Sequence, residues 1–188
     1  MNVQTAIEKR RTIRKYQNTP VPETTLLRLV ELARLHASGG NMQPLRYAVI
    51  SKKPMTDTVF DMLKWAMYLP EYDNRDHRPP AYIVILRDNN VKTSCQFDVG
   101  AASTTIMLAA VEAGLDTCCL GSMNRSALTE TLKLPENLVP ELVISVGYPA
   151  ESSRAVPMGD SVRYYQEEDG NLCVPKLSLE EVLVRSDI

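Results

Sequence analysis

DVGAASTTIMLAAVEAGLDTCCLGS, residues 98–122, is the stretch on which the fold turns. Between Asp98 and Glu112 nearly every position is apolar or small, and Gly114 supplies the left-handed residue that commonly stops a helix. The pattern predicts a helix from Asp98 to Ala113. A helix apolar almost all round has no solvent face, so it must be covered on every side, in a core or against a partner chain. Its uncharged run, Val99 to Val111, is too short to cross a bilayer. Thr117 to Leu120 then reads as a strand.

Working outward, RPPAYIVIL, residues 78–86, contains a short β-rich run at 81–86 with apolar residues on both faces, the mark of a buried strand. Arg46 to Ser51 and Leu142 to Gly147 are further strand candidates. Helices are expected at residues 2–10, 23–36 and 55–66, and from an Asn124 cap through Leu132. In 23–36, Leu26, Leu29, Val30 and Ala33 share one face, with Arg28, Glu31 and Arg34 opposite. ASGGNMQP, residues 37–44, is a loop by its paired glycines and proline. YYQEEDGNLCVP, residues 164–175, reads as a hairpin with Asp169-Gly170 at its turn, and Ser178 with Glu181 makes a capping box. Strands and helices mix without a βαβ rhythm, which gives an α+β class. The whole chain, 1–188, reads as a single domain.

Composition narrows the function. Apolar residues make up 44% and charged residues 23%, and the net charge is −2. This is an ordinary globular balance, with neither the basic surface of a nucleic-acid binder nor a membrane span. MNVQTAIEKRR lacks the apolar core of a secretory signal, so a cytoplasmic location is expected. Two histidines, His36 and His77, and four cysteines without a CxxC pair argue against a zinc site or a Ser-His-Asp or Cys-His nucleophile. Cys95, Cys118, Cys119 and Cys173 read as small buried residues. No metal ligand set and no catalytic acid or base stands out.

Three segments carry candidate chemistry. Five of the seven residues from Lys9 to Lys15 are basic. In RRTIRKY, residues 10–16, Arg10, Thr12 and Arg14 alternate, so an extended chain puts them on one face. Guanidinium forks and a hydroxyl there suit a phosphate and a second electron-rich group. A solvated helix end is the ordinary alternative. SGGNMQP, residues 38–44, pairs close-approach glycines with Asn41 and Gln43, whose amides match a heteroaromatic edge; taken alone it is also an ordinary connector. TCCLGS, residues 117–122, ends a strand where backbone amides can meet a ligand. No GxGxxG or GxxxxGK occurs, so any cofactor phosphate must be held by side chains.

In order, RRTIRKY, SGGNMQP, RPPAYIVIL, the 98–122 stretch, LVISVGYP and VPKLSLEEV make the chain resemble the nitroreductase family of FMN-dependent oxidoreductases, in a compact subgroup. The likeness runs from about Thr5 to about Val184. It implies a central, mostly antiparallel sheet flanked by helices, and a homodimer with FMN at the subunit interface. It implies FMN contacts by Arg10, Arg11, Thr12 and Arg14 of one subunit, with Arg10 and Thr12 at phosphate and ribityl oxygens and Arg14 at the flavin N1–C2=O edge. Ser38, Gly39, Gly40, Asn41 and Gln43 of the other subunit match the stretch across the flavin. Leu120 and Gly121 match the segment near N5 and O4, and Lys176 a basic residue on the phosphate. The helix at 98–113 matches the dimer helix.

The departures are Thr12 where serine is common, Leu45 for a tryptophan after QP, Cys119 for an aromatic, and Leu177 where a second basic residue is frequent. Residues 64–78 are short beside the insertion of larger relatives and should shape the substrate pocket. The implied chemistry is hydride transfer from NAD(P)H through flavin N5 to a small organic acceptor such as a nitroaromatic or quinone. An FMN carrier or sensor without turnover, a flavin-dependent dehalogenase on the same fold, and a helical dimer meeting an acidic partner are the alternatives.

Overall fold

The computed structural model describes residues 1–69 and 71–187. Four strands, β1 (Leu45–Ile50), β2 (Ala81–Asp88), β3 (Asp116–Leu120) and β4 (Leu138–Gly147), form an antiparallel sheet in the order β1-β2-β4-β3. Ala81 through Ile85 of β2 are completely buried. Alternation splits that strand between two cores. Ala81, Ile83 and Ile85 pack under α2 (Glu23–Ala33) and α4 (Gln96–Glu112). Tyr82, Val84 and Leu86 face α3 (Met55–Asp61) and α5 (Arg125–Thr131). A central antiparallel strand covered by helices on both faces thus reads as a continuous apolar run.

α1 (Val3–Lys9) starts at an Asn2 cap and lies against the far end of α4. The last part of the chain builds a second sheet from β5 (Ser153–Pro157), β6 (Tyr165–Gln166) and β7 (Leu172–Lys176), in the order β5-β7-β6, then α6 (Leu179–Val182). The 164–175 hairpin is present as β6 and β7. Gly170, at φ +86°, takes the left-handed turn position. The Ser178–Glu181 capping box closes as expected.

Several boundaries differ from the sequence reading. α3 stops at Asp61 because residues 62–64 are drawn onto the segment after β3: Asn124 N donates to the Met62 carbonyl and Lys64 N to that of Ser122. β4 starts at Leu138, before Pro140, which cannot donate to a ladder. A bulge absorbs it, with Ile85 opposite Leu142 and Leu86 opposite Pro140. β5, largely exposed, had no apolar alternation to announce it.

The structure divides α4. Ala102, Ile106 and Ala110 are fully buried, while the other face carries exposed Gly100 and Thr104, half-buried Leu108, and Phe97, 96% exposed at the first turn. Val3 and Ile7 of α1 and Leu179, Val182, Leu183 and Val184 at the C-terminus are also exposed. One chain therefore covers only half of the helix that the sequence says must be covered throughout. No helix among the described residues is long and apolar enough to cross a membrane.

Candidate functional site

The basic segment leaves α1 at Arg10 and runs extended beside β3. Ile13 N donates to the Thr117 carbonyl at 3.1 Å, and Thr12 lies opposite Thr117 in parallel register. Ile13 and Tyr16 are buried and hold the segment to the core; the Tyr16 hydroxyl donates to the Ile13 carbonyl at 2.5 Å and sits 2.8 Å from Ser145 Oγ. With Ile13 turned inward, Thr12 and Arg14 lie on the opposite side of the strand.

Glu151 fixes the segment further. Its carboxylate accepts from Arg14 N at 2.5 Å, from Lys15 N at 3.1 Å and from the Tyr72 hydroxyl at 2.5 Å. Arg14 lies over the Tyr164 ring at 4.7 Å, Lys15 over Tyr72 at 4.9 Å and Arg163 over Tyr68 at 5.6 Å. Of the two rings from residues 64–78, Tyr72 closes directly onto the basic segment, whereas Tyr68 packs on Arg163 and Tyr164, the latter lying under Arg14.

The arginines are spread along β3. Arg10 and Arg11 act on Asp116, whose carboxyl is pushed up to about 6 by burial against the pull of both cations. Arg14 reaches Cys118. Four extended residues span about 13 Å from Cα to Cα, so Arg10 and Arg14 leave the segment at well-separated points. Among the described residues, no carboxylate lies within ion-pair distance of Arg10, Arg11, Arg14 or Lys15.

The glycine loop sits elsewhere. Gly39–Asn41 form one helical turn, and Gly40, Asn41 and Gln43 have φ of +60°, +54° and +51°. A left-handed backbone is free for glycine but costs free energy at Asn41 and Gln43. Ser38 holds it: its hydroxyl donates to Asp98 at 2.5 Å and accepts from Gln43 N at 3.0 Å. Asp98 lies in the first turn of α4, whereas Asp116 follows its last turn. A helix of 17 residues is about 25 Å long, so one chain does not bring Ser38 to Arg10 and Arg11.

Leu120 is buried, so only its backbone can meet a ligand; Gly121 is exposed, with open space where a Cβ would stand. Lys176 ends β7 with its side chain exposed. No hydrogen bond or ion pair joins Lys176 to the basic segment among the described residues. Burial pushes the Cys118 thiol up to about 12 and the Cys119 thiol up to about 11, which keeps both protonated and unreactive. No metal-binding cluster occurs among the described residues. Glu151, Tyr72, Tyr164 and Asp116 were not singled out by the sequence, which gives no sign that Glu151 closes on a segment 136 residues earlier.

The family model for the nitroreductase family matches residues 7–148. A protein of Methanothermobacter thermautotrophicus, provisionally named NADH dehydrogenase/NAD(P)H nitroreductase, is 27% identical over 89% of this chain and 88% of its own. Iodotyrosine deiodinase of Haliscomenobacter hydrossis is 25% identical over 78% and 79%. The solved structure of an FMN-dependent nitroreductase from Clostridium difficile superposes with a TM-score of 0.67 at 24% identity, covering 82% of this chain and 91% of its own. The match spans the basic segment, the glycine loop, the apolar helix and the whole antiparallel sheet: this chain belongs to the nitroreductase family, a family of oxidoreductases.

Proposed function

We propose that this protein is an FMN-dependent oxidoreductase that passes a hydride from NAD(P)H to a small organic acceptor, with each flavin held between two copies of the chain. The observation that carries the reading is the placement of two ligand-type segments at opposite ends of α4, beside a helix face that one chain leaves uncovered. A second, two-fold-related copy can supply the missing segment to each site.

The donor set suits FMN. Arg10, Arg11 and Thr12 offer cationic forks and a hydroxyl with no carboxylate claiming them, as a phosphate requires. Arg14, about 13 Å further along the extended chain, reaches a different part of a long ligand. In the partner's loop, Asn41 and Gln43 present amide groups, and exposed Gly39 and Gly40 let the backbone lie close to a flat ring.

Bound FMN supplies the redox chemistry, accepting and then releasing a hydride equivalent. The protein's part is to bind and orient it. Arg14 is held in place because Glu151 anchors its backbone and Tyr164 packs on its guanidinium. A cation held there favours the reduced ring if it faces N1–C2=O. In this proposal the 64–78 segment, whose Tyr72 packs on Lys15 and donates to Glu151, shapes the acceptor pocket. That a deiodinase is among the similar proteins makes halogenated phenols a second class to try beside nitroaromatics and quinones.

The test is anaerobic addition of NADH or NADPH to protein loaded with FMN. Loss of visible flavin absorbance, restored by an acceptor, supports turnover. Binding of FMN with no bleaching by either nucleotide points to a carrier or sensor. Failure to bind flavin at all refutes the reading.

A further inference from the structure

Resting on that reading, we propose that Asp98, a carboxylate buried in the first turn of α4, is the positioning residue that sets the glycine loop for the flavin ring, acting through Ser38. Asp98 is 3% exposed. It does not cap α4: the N-cap residue is Cys95, and no side chain bonds there. Its Oδ1 instead accepts a hydrogen bond from the Ser38 hydroxyl at 2.5 Å, and Lys92 Nζ stands 3.9 Å from Oδ2. With its hydrogen pointed at Asp98, Ser38 Oγ has only lone pairs left for the loop, and Gln43 N donates to it at 3.0 Å. The chain Asp98–Ser38–Gln43 thus orders a hydrogen-bond direction from the helix into the loop.

The loop needs such a clamp. Asn41 and Gln43 both hold a left-handed backbone, and a conformation of that kind persists only where its surroundings over-determine it. Gln43 Nε2 donates to the Asn41 backbone carbonyl at 3.3 Å, so fixing the Gln43 backbone also holds its side chain against the turn at Asn41. Pro44 and Leu45, both buried, hold the loop's far end. Lys92 lies 3.5 Å from where a Cβ on Gly39 would stand, so the same ammonium that faces Asp98 also lies under the glycine turn. The charge of Asp98, after burial itself, helps push the Tyr47 phenol up to about 12, which places Asp98 close to the strand beneath the loop as well. A buried carboxylate with a charge partner, a hydroxyl relay and a strained loop at its end is more than helix capping asks for.

Because the loop is assigned to the ring and not to the phosphate, losing the clamp should weaken FMN and riboflavin alike. Asp98→Ala and Ser38→Ala should each raise both dissociation constants about tenfold or more, the size of a hydrogen bond to a charged group. The double variant should be no worse than either single one, since Asp98 acts only through Ser38. Asp98→Asn keeps an acceptor for the hydroxyl and should recover most of the affinity. Independently of flavin, Gln43 amide exchange in the apo-protein should quicken in Asp98→Ala and Ser38→Ala and stay near wild type in Asp98→Asn. Additive losses, a loss confined to FMN, or unchanged Gln43 exchange would overturn the assignment to Asp98. Wild-type protein that binds no flavin while Gln43 exchange still responds would instead refute the flavin reading and leave the clamp standing as a loop anchor.

Discussion

Arg10 and Arg14 sit on one extended segment, and the three residues between them divide their work. Arg10, with Arg11, faces the start of β3, where both cations pull on the Asp116 carboxyl. Replacing Arg10 by Ala should weaken FMN by about 1.5–3 kcal/mol for each charge-assisted hydrogen bond lost. Riboflavin, which has no phosphate, should bind almost as before. Isothermal titration with both ligands decides, and equal losses would place Arg10 at the ring or in the scaffold. Asp116 offers a pH test on the apo-protein. Its carboxyl is raised from 3.8 to about 6, mainly by burial. A carboxyl raised on folding adds stability that is present below its unfolded value and lost as pH rises through its folded value. Asp116→Asn does not titrate, so it should gain on wild type between about pH 4 and about pH 7, by roughly 1–2 kcal/mol once partial solvation is allowed for. Denaturant midpoints across that window measure it. A constant difference would mean that Asp116 is solvated in the folded chain.

At the scale of elements, the legible parts of the fold were those with long uniform patterns. β2, the apolar helix, the helix at the N-terminus and the capped helix from Asn124 carry their signals within a few residues. The end of α3 was not legible, because it is set by hydrogen bonds to residues 122–124, far along the chain. The first residues of β4 were hidden by Pro140, and β5 by its exposure. In the site, the basic segment and the glycine loop were visible by composition, whereas Glu151 and the Asp98–Ser38 contact exist only through tertiary packing. Gly147 shows the same limit. Nothing in its sequence neighbourhood demands glycine, yet a Cβ there would come within 2.7 Å of Pro80 and 2.8 Å of Tyr16. Both are held, Pro80 just before β2 and Tyr16 fully buried. Gly147→Ala should cost about 1–3 kcal/mol by overpacking. Gly121→Ala, where a Cβ meets nothing within 4 Å, should leave the melting temperature of the apo-protein near wild type. Thermal melts of the two variants compare a close approach with an open site.

For the whole molecule, the proposed dimer would answer both the uncovered face of the apolar helix and the separation of the ligand segments. α4 is wrapped by its own chain on one side only, and Phe97 stands 96% exposed on a first turn that also anchors the glycine loop through Asp98. An aromatic ring that large is rarely left in water, and burying it contributes about 1.5–3 kcal/mol. Val3 and Ile7 of α1 and the C-terminal Leu179, Val182, Leu183 and Val184 add further apolar surface. Covering these faces with a second copy would also carry the partner's Ser38–Gln43 loop toward Arg10 and Arg14. The protein should therefore sediment as a dimer at micromolar concentration, and flavin affinity should fall when the dimer is diluted apart. Phe97→Asp should raise the dimer dissociation constant about tenfold or more and weaken flavin binding in parallel, although Phe97 belongs to neither ligand segment. Sedimentation velocity with and without FMN follows both quantities in one experiment. A folded monomer that binds one flavin per chain at every concentration would show that the site is built from a single chain and that the uncovered face of α4 serves something else.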